Sequence, residues 1–318
     1  MLENLKNNDT INRKIQFVEK IMIKNVKSRH KNVQDMLTEM IHSGGKRLRP
    51  LFLLLSAEFG QNKTESLYEA AAGMEMIHMA TLIHDDIIDE ASLRRGTVTA
   101  QSRFGKDYAV FMGDFLMNRS YLMLNGKVLA PEVRQIQHIM ECLFYGEMLQ
   151  YNGRFDRKKT VSQYIRIAAN KTASLFALSF FLGAKISECE ESICKALKRT
   201  GYYFGISFQI LDDLLDFSSR ESDLGKNIQK DIHMGFYTLP MIFAAKQNPE
   251  IWGLIQDSRF DELQQCIRAA GGFRKAAELG EQYLEKANSE LAELPDIEAK
   301  KIILHALQDM KNALQEFS

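Results

Sequence analysis

Two apolar helical runs in this chain close on the same pattern of acids, and few folds can accommodate that. His84-Asp85-Asp86-Ile87-Ile88-Asp89 ends the run that starts at Ser66, and Leu211-Asp212-Asp213-Leu214-Leu215-Asp216 ends the run that starts at Glu188. At about 100° per residue on a helix, Asp85 and Asp89 project within about 40° of each other, with Asp86 one step round. Carboxylates crowded on one face repel, and burying them is costly unless positive charge sits between them. A single triplet of this kind reads equally well as a solvated helix end or as a cation site. Two identical triplets, each followed by basic residues (Arg94 and Arg95 after the first, Lys226 after the second), imply two walls of one metal–diphosphate site. Mg²⁺ suits it, because that ion keeps several waters and is held by one or two carboxylates together with phosphate oxygens.

The rest of the chain repeats the helical period. Apolar spacing of three to four residues predicts helices over Ile11–Val26, Val33–Ile41, Pro50–Glu58, Ser66–Asp89, Tyr108–Leu129, Pro131–Asn152, Val161–Leu182, Glu188–Phe217 and from Thr238 to Lys246 and onward. Only five prolines occur, no strand pattern stands out, and no low-complexity linker divides the 318 residues. The reading is all-α and one domain over 1–318. Pro50 and Pro131 suit first-turn positions, and Gly60, Gly183 and Gly225 suit helix ends. Lys plus Arg and Asp plus Glu each number 41, so no global field points to nucleic acid. Cys142, Cys189, Cys194 and Cys266 form no CxxC pair and read as thiols of a reducing compartment. The N-terminus lacks the apolar core of a signal peptide, and the longest apolar stretch, Ser174 to Ala184, is too short to span a bilayer. A cytoplasmic protein is expected, touching the membrane surface to deliver a greasy product.

Three further features converge on the acids. Gly73, Met74, Ile77, Ala80 and Thr81 form a strip running back from Asp85, with Ala80 about 7.5 Å and Ile77 about 12 Å below it. A hydrocarbon tail hung from the aspartates would lie along that strip, and its small residues would leave a shaft open. Gly44-Gly45-Lys46-Arg47-Leu48-Arg49 precedes an apolar helix; it reads as an anion-binding loop or as a basic surface turn. His78 points between the bearings of Asp85 and Asp89, which favours a diphosphate contact over a core role. Lys171 places a cation in an apolar helix, where a snorkelling lysine is the ordinary alternative.

These motifs, in this order from Gly44 to about Pro240, resemble the trans-polyprenyl diphosphate synthases. The resemblance implies an isoprenoid synthase fold: a single large helical bundle surrounding a central cleft. It also implies a prenyltransferase that condenses isopentenyl diphosphate with an allylic diphosphate by Mg²⁺-assisted ionisation. Asp85, Asp86, Asp89, Lys171, Asp212, Asp213 and Asp216 would then carry the chemistry, with Asp85, Asp89 and Asp212 on the metal. Lys46 and Arg49, with Gly45 in their loop, would hold the isopentenyl diphosphate. His78 would be a second contact, Arg94 would take the allylic diphosphate and Arg95 the isopentenyl one. Lys171, Thr172 and Lys226 would face the leaving group, Gln209 would face the same cleft, and Gly146–Gln150 matches a family helix whose Gln150 lines it, while Arg47 is read as solvated and His84 as packing or orienting. Bulky aromatics before the first acidic motif stop short chains in this family. Ala80 and Thr81 supply none, so the product is expected to be longer than farnesyl or geranylgeranyl.

The chain looks most like the large subunit of heterodimeric hexaprenyl or heptaprenyl diphosphate synthases, primed by farnesyl diphosphate and partnered by a small regulatory subunit. A homodimer making longer or shorter chains is the alternative. Asn227 and Gln229 stand where most relatives have Pro and Gly, which puts the shape of that loop in doubt. A terpene cyclase would not need the Gly45–Arg49 loop or His78, and a non-catalytic subunit ought to lack the aspartates. An EF-hand would alternate its acids and end on a glutamate.

Overall fold

The helical period expected from the sequence is realised almost everywhere. The computed structural model describes residues 9–94, 96–125, 130–218 and 231–318, so Arg95, Gly225, Lys226, Asn227 and Gln229 lie outside it. In chain order the helices are α1 (Asp9–Asn25), α2 (Lys31–His42), α3 (Leu48–Ala57), α4 (Ser66–Ile88), α5 (Ala100–Phe104), α6 (Lys106–Leu124) and α7 (Ala130–Asn152). Then come α8 (Val161–Ala168), a π turn (Ala169–Ala173), α9 (Ser174–Ile186), α10 (Glu191–Ser218), α11 (Leu239–Ala245), α12 (Ile251–Gln256), α13 (Phe260–Ala269), α14 (Gly272–Ala292) and α15 (Glu298–Gln315). Among the described residues the only strands are β1 (Leu93–Arg94) and β2 (Thr97–Val98), which pair antiparallel. This hairpin escapes the sequence reading because each strand is two residues long. Its signal was Gly96, which takes φ +78° in the connecting loop.

The single domain expected over 1–318 is laid out as two compact units that interleave in sequence. One takes Glu3–Gln135 and Ser179–Lys195; the other takes Ile136–Leu178 and Ala196–Ser318.

In the first unit α4 is the central element, packing along α6 and against α1 and α3. Ala70, Ala71, Ala72, Met74, Met76, Ile77, Met79, Ala80 and Ile83 are all buried, so this helix is apolar nearly all round, as a core helix must be. Each buried Ile or Met contributes about 1.5–3 kcal/mol. Phe52 of α3 stacks on Phe180 of α9 at 4.8 Å between ring centres. Gly183 does not end a helix: it lies inside α9, where an added Cβ would stand 2.0 Å from the Leu53 carbonyl oxygen. Gly60 likewise admits the Ser187 carbonyl, 2.1 Å from where a Cβ would be. Both glycines serve close backbone approach, a demand invisible to a reading based on helix ends.

In the second unit α14 packs against α11 and α15. Helices α8 and α9 and the π turn form one helical run, Val161–Ile186, longer than the apolar stretch picked out in the sequence, with residues up to Leu178 in this unit and those from Ser179 in the other. By length and composition it could cross a membrane, but most of it is buried within the protein. Burial makes it a core helix.

Candidate functional site

Each acidic triplet sits where a helix least tolerates it. Asp85 and Asp86 occupy the last turn of α4 and Asp89 its C-cap, while Asp212, Asp213 and Asp216 occupy the last two turns of α10. Neither helix has a basic residue in its last turn. The backbone dipole makes these ends negative, so three carboxylates there call for positive charge from elsewhere.

In the first unit one acid is already satisfied. Asp86 is 3% exposed, and Arg94 Nε donates to its Oδ1 at 2.6 Å. Burial raises its pKa above the usual carboxylate value, Arg94 pulls it back, and Asp85 and Asp89 push it up further. The β1–β2 hairpin presents Arg94, and Gln101 Nε2 donates to the backbone oxygens of Asp86 and Ala91 at 2.8 Å, tying the hairpin's base to the helix end. Asp85 and Asp89 are half-buried. His84 turns aside: its Nε2 lies 3.3 Å from Asp114 and its ring fills the space that Gly113 leaves in α6. That agrees with a packing role.

A pocket in this unit gathers Gly44 and Arg47 from the basic loop, Glu75, His78 and Asp86 from α4, and Arg94 from the hairpin. Loop, helix end and hairpin, apart in sequence, therefore share one cavity. Gly45 and Lys46 are exposed and Arg49 is half-buried. Arg47, read from the sequence as solvated, is instead 6% exposed and donates to Glu19, Glu75 and the Ile41 carbonyl. The sequence offered no cue, because its carboxylate partners lie 28 residues away on each side.

The proposed length strip is buried at Gly73, Met74, Ile77 and Ala80, and half-buried at Thr81, whose hydroxyl donates to the His78 carbonyl. At Gly73 the expected open shaft is not seen. A Cβ there would meet the Leu124 side chain at 3.2 Å and the Ser120 carbonyl at 3.5 Å, so the glycine lets α6 close on α4.

In the second unit the middle acid, Asp213, is held by uncharged donors. Tyr164 Oη donates to Asp213 Oδ2 at 2.7 Å and Gln209 Nε2 donates to Oδ1 at 2.8 Å, while Thr172 Oγ1 donates to Gln209 Oε1 at 2.6 Å. Burial lifts Asp213 to about 7; the two hydrogen bonds lower it, Asp212 raises it, and Lys159 lowers it slightly. Asp216 also rises to about 7, through lost hydration and then repulsion from Asp212, Asp213 and Asp231. Tyr164 and Lys159 were missed in the sequence. Tyr164 left a trace, since a tyrosine on the apolar face of α8 needs a partner for its hydroxyl.

Lys171 and Thr172 fall inside the π turn, a rare geometry that often marks functional positions. Gly146 of α7 and Gly205 of α10 hold that turn. An added Cβ would stand 2.8 Å from the Lys171 nitrogen at the first and 2.5 Å from the Ala173 Cα at the second. Lys171 Nζ pairs with Glu147 at 2.9 Å. Gln150 is half-buried on the same helix as Glu147.

Among the described residues no three His, Cys, Asp or Glu side chains form a ready cation cage. Hard carboxylate oxygens at negative helix ends nonetheless fit an ion that keeps water and shares phosphate oxygens.

Comparison with known proteins agrees with this assembly. The Polyprenyl synthetase family model matches residues 30–270. Heptaprenyl diphosphate synthase component 2 of Bacillus subtilis (strain 168) is 35% identical over 295 residues, covering 90% of this chain and 84% of that one. The nonaprenyl diphosphate synthase of Mycobacterium tuberculosis is 33% identical over 297 residues, covering 90% and 88%. The crystal structure of heptaprenyl diphosphate synthase from Staphylococcus aureus superposes with a TM-score of 0.90 at 33% identity, covering 95% of this chain and 98% of that one. The all-α architecture is thus the isoprenoid synthase fold, and members of the family depend on a divalent metal. The acids at two helix ends and the basic loop beside one of them belong to a chain-elongating trans-prenyltransferase, and the chain is a member of the polyprenyl synthetase family.

Proposed function

We propose that this chain is the catalytic subunit of a heterodimeric synthase that extends farnesyl diphosphate with isopentenyl diphosphate to an all-trans hexaprenyl or heptaprenyl diphosphate. The pocket that joins Gly44, His78, Asp86 and Arg94 carries the reading, because it sets a basic loop beside an acidic helix end. Similarity to a protein named component 2 supports a small partner subunit, and two heptaprenyl synthases among the relatives support the length; the nonaprenyl relative marks the alternative of a longer product.

Mg²⁺, held by Asp85, Asp89 and Asp212, would supply positive charge to the departing diphosphate. Lys46 and Arg49, in the loop with Gly45, hold the isopentenyl diphosphate, with His78 and Arg95 as further contacts. Arg94, Lys171 and Lys226 offset the charge that develops when the allylic carbon–oxygen bond breaks. Thr172 and Gln209 orient the same group, and Asp86, Asp213 and Asp216 complete the acidic sets. The isopentenyl double bond then forms the new carbon–carbon bond, and the released diphosphate takes the proton. Buried Met74, Ile77 and Ala80 keep water from the cation. The enzyme works in the cytoplasm and touches the membrane surface when product leaves.

The test is to incubate the purified chain with farnesyl diphosphate, isopentenyl diphosphate and Mg²⁺, alone and with a small subunit of a heptaprenyl synthase, and to identify products by mass. Six- or seven-unit products that need the small subunit are expected. Long products from the chain alone would overturn the heterodimer, and no consumption of isopentenyl diphosphate in either mixture would overturn the activity.

A further inference from the structure

We propose that Arg47 is a positioning residue for the isopentenyl site: it fixes the Gly44–Arg49 loop between α1 and α4 and cancels the negative charge of Glu75 inside the pocket. This rests on the reading of Lys46 and Arg49 as diphosphate ligands.

All three guanidinium nitrogens of Arg47 are engaged. Nε donates to Glu19 of α1 at 2.9 Å, Nη1 to Glu75 of α4 at 2.9 Å, and Nη2 to the Ile41 carbonyl at the end of α2 at 2.5 Å. Three helices are therefore clamped by one planar fork, each of whose nitrogens already serves the protein. A lysine could not reproduce three such directions. The backbone reports the same constraint. Arg47 adopts φ +46°, ψ +38° at the N-cap of α3, a left-handed conformation that costs a non-glycine residue roughly 1–2 kcal/mol and persists where its surroundings over-determine it. That turn sets the direction in which Lys46 leaves on one side and Arg49 on the other.

Glu75 adds an electrostatic effect. It is 4% exposed and lines the same pocket as Gly44, His78 and Arg94. An unpaired carboxylate in a cavity meant for a diphosphate would repel it, and low local dielectric would strengthen that repulsion. Arg47 pairs it. Removing the guanidinium thus loosens the loop and exposes an anion to the substrate, whereas neutralising Glu75 as well relieves the second fault.

The experiment is calorimetric titration of Arg47→Met with isopentenyl diphosphate and, separately, with an unreactive allylic thiolodiphosphate, so that no turnover is required. Isopentenyl binding should weaken about tenfold or more while allylic binding stays within about twofold, and adding Glu75→Gln should recover at least about threefold of the loss. Unchanged isopentenyl binding, equal weakening of both ligands, or no recovery in the double variant would each overturn the proposal. Should Arg47→Met fail to fold, Arg47→Lys carries the same test: it keeps the charge but loses the fork, and a split of about threefold or more is expected. Lys46→Ala, run in parallel, separates the two ideas. If it leaves isopentenyl binding intact, the diphosphate site itself is misassigned; if it weakens binding while Arg47→Met does not, only the role of Arg47 falls.

Discussion

The two acidic triplets share one spacing of acids, yet the middle acid of each keeps different company. At the end of α4, Asp86 is buried against Arg94, a full positive charge carried on the adjoining hairpin. At the end of α10, Asp213 has a phenol and an amide for partners, and it rises to about 7. The middle acid of the first triplet thus has a counter-charge within the protein. Its counterpart Asp213 is held by a phenol and an amide, with Lys159 as a weaker positive influence. A motif fixes which groups are present, while their neighbours decide how much charge those groups bear at neutral pH.

The sharpest way to break this comparison is to remove one acid from each side. Asp85→Ala and Asp212→Ala should each cut isopentenyl incorporation by about a thousandfold or more, with the circular dichroism of the helices unchanged. If one variant keeps near-normal rates, the two triplets do not share the work.

Stability should separate them next. Arg94→Met strands the buried carboxylate of Asp86 and should cost about 3 kcal/mol in denaturant unfolding, the low end for a broken buried pair because Arg94 is about a third exposed. Tyr164→Phe removes one of two hydrogen bonds to Asp213 and should cost about 1.5 kcal/mol. The reverse order would show that the neutral partners matter more than the guanidinium.

The pH response gives a third distinction. Asp213 ionises at 3.8 in an ordinary setting and near 7 in the fold, so between those values the folded protein binds more protons than the unfolded chain. Its contribution to stability is therefore present below about pH 4 and lost as pH rises through about 7. Comparing melting temperatures of wild type and Asp213→Asn without divalent metal, the wild type should lose ground to the variant from pH 5 to 8. A constant difference across that range would mean that Asp213 is ionised throughout.

Smallest of all is the length effect. Ala80→Phe should shorten the product by one or more units while costing about 1–3 kcal/mol through overpacking, because Ala80 is fully buried. An unchanged product profile would remove Ala80 from the set of length-determining residues.

Local chemistry made much of this legible in advance. The apolar period gave α4 and α10, and the end of α4 came within a residue of its expected position, because helix periodicity and the acidic stop are both encoded locally. What stayed hidden depends on partners distant in sequence. Arg47 looks like a surface cation until Glu19 and Glu75 are brought to it, and Gly183 looks like a helix stop until Leu53 arrives. Tyr164 gains its meaning from Asp213, forty-nine residues on. The π turn at Lys171 has no sequence period of its own, and it is Gly146 and Gly205 that make room for it.

The account is tested most directly by calorimetric titration of Mg²⁺ into the chain with and without an unreactive allylic thiolodiphosphate, for wild type, Asp85→Ala and Asp212→Ala. The wild type should take up Mg²⁺ tightly only when the diphosphate is bound, and each variant should lose that uptake. Undiminished, diphosphate-dependent Mg²⁺ binding in either variant would contradict it.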